Sequence, residues 1–131
     1  MVKKWIIMTI LAIILIVSSV YESKYINASM NGLINSLETL QIELTENKEK
    51  IDSEYLIKKS YQIHNEWHDK LSKLKCLLWH TGLKDIEVGL ARISVYIEEN
   101  DYTESYAEIA CLIDYLAHYL DDFKVTLDNV F

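Results

Sequence analysis

Along the chain the pattern of apolar and polar positions changes once, at Glu22. Before it, "WIIMTILAIILIVSSVY", Trp5 to Tyr21, carries no charge, and Lys3 and Lys4 precede it. A helix of about 17 to 20 apolar residues spans a bilayer core, so this run reads as a membrane helix at the short edge of that range. Trp5 at one end and Tyr21 with Tyr25 at the other fall where aromatic rings prefer the headgroup zone, with Leu11 and Leu15 in the span between them. Lys3 and Lys4 assign the N-terminus to the cytoplasm and everything after Glu22 to the outside. A cleaved signal peptide shares these features, with Ser18–Ser19 as its small pair, and would leave the domain secreted. No alanine-rich cleavage site and no lipid-acceptor cysteine follow the run, which favours the uncleaved anchor.

After Glu22 the apolar positions become periodic. Ile26, Met30, Leu33, Leu37, Leu40 and Leu44 step by four and three, a heptad seam on one helix that ends near "ENKEK". No breaker separates this seam from the membrane run, so one helix can carry both. Gly32 weakens it, by up to about 1 kcal/mol relative to alanine. Asp52 or Ser53 caps a second helix whose inner face is Leu56, Ser60, Ile63, Trp67, Lys70/Leu71, Leu74 and Leu77/Leu78. Its outer face carries Glu54–Lys58, Glu66–Lys70 and Asp69–Lys73, all in the favourable i,i+4 order. "HTG" stops it, with Gly82 expected in the left-handed conformation. A third helix over about 84–98 buries Ile86, Leu90, Ile93 and Ile97, and "EEND" ends it. Asp101 and Glu104 have capping-box spacing for a fourth helix, whose stripe is Tyr106, Ile109, Ile113, Leu116, Leu120, Phe123 and Leu127.

Four amphipathic stripes joined by short connections predict an all-α fold. Residues 1–21 form a membrane anchor or signal segment, and residues 22–131 form an extracytoplasmic antiparallel bundle of about four helices on a membrane stalk. Composition agrees, because the chain has no proline and only three glycines, which suits long uninterrupted helices. Charge narrows the partners. Setting aside Lys3 and Lys4 with the first 21 residues leaves 11 basic against 20 acidic side chains. Such a domain repels nucleic acid and an anionic lipid surface. Residues 84–131 alone hold 11 acidic and 3 basic side chains, so a face for a basic partner lies there.

Candidate chemistry begins with "HNEWH", residues 64–68, which nearly spells the zinc-protease helix signature. That signature puts its glutamate about 100° round the helix from the first histidine, beside the metal. Here Glu66 is two residues on, about 200° away, so it faces opposite the His64/His68 pair and is expected to pair with Lys70. The protease mechanism is excluded, and Trp67 takes the seam as a core residue with His64 flanking it and His68 further out. A two-histidine metal site needing a ligand from another helix is the alternative. On the fourth helix Cys111, Asp114, His118 and Asp121 or Asp122 form one stripe away from the core, either a solvated acidic face or a row of carboxylate and imidazole ligands. Cys76 and Cys111 are at matching heights in an antiparallel bundle but lie off the apolar seams. A disulfide between them requires Cα atoms within about 7 Å. His80, in the last turn of the second helix, suits the exposed carbonyls and the helix dipole. No Ser-His-Asp or Cys-His order, glycine-rich phosphate loop or inward carboxylate pair stands out, so a non-enzymatic chain without a cofactor is expected.

The basic-then-apolar start, Trp67, "WHTGLKDIEVGLARI", "LIDYLAHYLDD" and the terminal "NVF" resemble the family known as domain of unknown function 4363. That resemblance covers most of the chain. It implies a small membrane-associated protein of Gram-positive bacteria with a helical outer domain, and it carries over no site residues. Two functions from different classes follow from the residues. One is an interaction or scaffold module docking on another membrane or envelope protein, with self-association through the first helix as a further option. The other is a metal- or ligand-binding envelope sensor using His64/His68 or the Asp114–His118 stripe.

Overall fold

The computed structural model describes residues 1–74 and 81–130. It contains four helices: α1 (Val2–Glu46), α2 (Glu54–Leu74), α3 (Thr81–Glu98) and α4 (Tyr102–Val130). They pack in a ring, α1 on α2, α2 on α3, α3 on α4 and α4 back on α1, with no strand among the described residues. The fold is an all-α bundle.

α1 is a single helix of 45 residues, about 68 Å long at 1.5 Å per residue. Its two halves meet different surroundings. Residues 1–18 are all exposed, and an 18-residue window in this half has a mean hydropathy of 2.2 with none of it buried. From Ile26 onward the heptad seam is sealed, with Ile26, Met30, Leu33, Leu37, Leu40 and Leu44 each at most 5% exposed. No stalk separates the halves. Ser19, Glu22 and Tyr25 are already half-buried, so packing begins before the uncharged run has ended.

The other helices add their stripes to the same core: Leu56, Ile63 and Trp67 from α2, Leu83, Ile86, Leu90, Ile93 and Ile97 from α3, and Ile109, Leu112 and Leu116 from α4. On α4 the buried line differs from the expected one. Ser105 and Leu112 are buried, whereas Tyr106 is 40% exposed and Ile113 only half-buried. Steps of three and four from Ile109 admit either 112 or 113. Contact with both α1 and α3 turns the helix so that 105, 109, 112 and 116 face inward.

Local chemistry sets the helix ends. Ser53 caps α2, its Oγ accepting from Leu56 N–H at 3.3 Å, while Asp52 Oδ1 is buried without a partner. Asp101 caps α4, its Oδ1 accepting from Glu104 N–H at 3.1 Å. The left-handed stop sits at the other end of α3 from the one expected. Gly82 is helical, in the first turn of α3, and among the described residues no glycine has positive φ. Asn100 has φ of 56° instead. Its N–H donates to Ile97 O at 3.0 Å, and Asp101 N–H donates to Tyr96 O at 2.8 Å, the paired bonds of a Schellman motif. Asn100 Oδ1 also accepts from the N–H of fully buried Ile51 at 2.8 Å, tying the α1–α2 connection to the α3–α4 turn.

Candidate functional site

The seam phase of α2 puts Trp67 into the core at 1% exposure and leaves the two histidines on the flank towards α3. There α3 supplies a partner. Glu87, one residue past the buried Ile86, offers Oε1 to both rings: His68 Nδ1 hydrogen-bonds it, and His64 Nε2 lies 3.9 Å away. A carboxylate only accepts, so Nδ1 of His68 is the donor in this bond. Glu66 does not join them. It accepts from Gln62 Nε2 at 3.3 Å, and the Glu54–Lys58, Glu66–Lys70 and Asp69–Lys73 pairs do not close. Among the described residues, no three His, Cys, Asp or Glu side chains converge as a metal-holding group.

The outer face of α4 is a separate arrangement. Cys111, Asp114, His118, Asp121 and Asp122 are all exposed, and His118 Nδ1 donates to the Asp114 carbonyl at 2.8 Å, with Asp114 Oδ1 at 3.5 Å. This backbone bond and the Asp114 charge raise the His118 pKa above 6.5, with smaller contributions from Asp121 and Asp122. Cys111 is a free, exposed thiol beside a groove of about 200 Å³ lined by Asp85, Gly89, Glu108, Leu112 and Tyr115. Cys76 and His80 lie outside the described residues, as do the Leu77, Leu78 and Trp79 neighbouring them.

Charged side chains join the helices around the rim. Lys59 Nζ reaches Glu43 Oε1 at 2.6 Å, and Tyr55 Oη donates to the same oxygen at 3.4 Å. Burial pulls the Lys59 pKa down, but the Glu43 carboxylate outweighs it and the net shift is upward. Tyr61 Oη donates to Glu98 across α2 and α3 at 2.5 Å, which raises the Tyr61 pKa. Arg92 stands 3.8 Å from Glu108 across α3 and α4. A groove between α1 and α2 of about 280 Å³ is lined by Ser36, Thr39, Lys59, Gln62, Ile63 and Glu66. It is open and mixed in polarity, smaller than pockets that enclose a small molecule, which run from about 300 Å³ upward.

Glu87, Glu43 and Glu98 were not legible as partners in the sequence, because each pairs with a residue on another helix. The only hint at Glu87 was its place beside Ile86 on the seam of α3. Two surfaces that remain among the described residues are the bare apolar half of α1 and the acidic outer face of α4, with Glu104, Asp114, Asp121 and Asp122 exposed.

No curated protein and no solved structure matches this chain. The model of one family, described as a domain of unknown function, DUF4363, matches residues 20–130, the helical bundle together with the last two residues of the apolar run. The chain belongs to the DUF4363 family.

Proposed function

We propose that this protein is a single-pass membrane protein whose acidic helical bundle is a non-enzymatic docking module for a second membrane or envelope protein. The continuity of α1 carries the proposal. One helix provides an exposed apolar length sufficient to cross a bilayer and then the central seam of the bundle. A bundle built on its own membrane helix is held at a set height and orientation, as a membrane-bound docking surface requires. The two lysines ahead of the apolar run favour a cytoplasmic N-terminus and an outer bundle. The acidic face of α4 favours a partner with basic residues at its contact surface, where complementary charge speeds encounter and selects against wrong partners.

The test is crosslinking in the native membrane with a photoreactive residue on the exposed face of α4, for example at Asp114 or Ala117. A discrete crosslinked protein, lost when Asp114, Asp121 and Asp122 are changed to lysine, is the expected result. Absence of any protein adduct from several positions on α3 and α4 would remove the docking function.

A further inference from the structure

The structure fixes how far α4 descends beside α1. At the far end Thr45 Oγ1 and Tyr102 Oη lie 3.3 Å apart, which sets these two residues at the same level to within about one turn. In antiparallel helices with equal rise, Ile109 is then level with about residue 38 of α1, Leu116 with about 31 and Val130 with about 17. Burial agrees with this register: Leu37 and Met30 are fully buried on α1, and Ile109 and Leu116 on α4. On the same count Tyr21, the last residue of the uncharged run, is level with about position 126 of α4. α1 changes from exposed to half-buried at Ser19 and Glu22. α2 does not reach that level, since the Lys59–Glu43 pair sets its described end, Leu74, beside about residue 28. Of the described elements, α4 alone extends down to Ser19.

Resting on the membrane reading of α1, we propose that the last two turns of α4, residues 124–130, lie in the headgroup zone of the bilayer that α1 crosses. The bundle therefore sits directly on lipid. The segment "KVTLDNV" mixes apolar residues with Lys124 and Asp128, a composition suited to the interface and unsuited to the hydrocarbon core. Its acidic surroundings give no attraction to anionic lipid, so the ligand is the zwitterionic headgroup. α1 supplies the proximity, because a tethered segment meets the surface at high effective concentration without affinity of its own.

The experiment uses the full chain in phosphatidylcholine vesicles, with Cys76→Ser and Cys111→Ser as background. A small fluorophore is attached in turn at Leu15→Cys, Tyr21→Cys, Thr103→Cys, Thr126→Cys and Asn129→Cys, and quenched by lipids spin-labelled at the headgroup or along the acyl chain. Circular dichroism establishes that each variant retains the helical content of the parent. The expected result is headgroup quenching at 126 and 129 close to that at 21, acyl-chain quenching at 15, and none at 103. Quenching at 15 with 126 and 129 as unquenched as 103 overturns the seating of α4 while leaving the membrane helix intact. An unquenched label at 15 overturns the membrane reading itself, and the proposal with it.

Discussion

Asn100 shows how much one residue can hold. It adopts a left-handed backbone that most residues resist by about 1–2 kcal/mol, and its side chain satisfies the N–H of buried Ile51. Asn100→Gly keeps the conformation and loses only the hydrogen bond. Asn100→Ala loses both, so it should destabilise the bundle by about 1–2 kcal/mol more than the glycine variant in denaturant titrations. Equal effects would show that backbone conformation is irrelevant there. His118 makes a different kind of prediction. Its folded pKa is raised, so whatever stability it adds is complete below its unfolded value of 6.5 and disappears as pH rises through the folded value. A proton NMR titration should place it above 6.5. Asp114→Asn should bring it part of the way down, since the backbone bond to the Asp114 carbonyl survives.

Among the elements, α1 and α2 carry the sharpest tests. Gly32 lies inside α1, and a methyl group there would meet only Lys70 Nζ at 3.9 Å, an ordinary contact. Gly32→Ala should therefore stabilise the chain by up to about 1 kcal/mol, read as a rise in unfolding midpoint at constant slope. At the α2–α3 junction Glu87 Oε1 accepts a hydrogen bond from His68 Nδ1, and among the described residues no group of three candidate ligands converges. Purified protein should hold no stoichiometric metal, and zinc, nickel or manganese should leave its thermal midpoint unchanged. A saturable shift abolished by His64→Ala would instead restore the sensor alternative.

On the scale of the whole molecule, the two halves of α1 should fail independently. Leu37 is completely buried, and an unpaired carboxylate at that position is among the costliest of single substitutions, exceeding about 4 kcal/mol. Leu37→Asp should open the bundle to protease while the chain still resists alkaline extraction from membranes, because the apolar half contributes nothing to the core. Loss of both properties together would mean that membrane retention depends on the folded bundle. The seating of α4 also limits the partner. From Tyr21 to Glu46 α1 rises only about 38 Å, so on the proposed seating a partner that grips the sides of the bundle is expected close to the bilayer.

Helix number, helix type and most of the core could be derived from the sequence alone. Each amphipathic stripe repeats with the helical period, and that period is a property of a single segment. The α1 seam from Ile26 to Leu44, Trp67 on α2 and Ile86 to Ile97 on α3 are all of this kind. The tertiary structure decided what depends on two segments at once: Leu112 over Ile113 on α4, Glu87 between two histidines, Lys59 turned to Glu43 and not along its own helix. It also put Gly82 inside α3 and gave the left-handed conformation to Asn100, whose side chain accepts from the Ile51 N–H of another connection. The level of α4 against the apolar run is likewise a matter of register between two helices, a quantity no single stretch of sequence encodes.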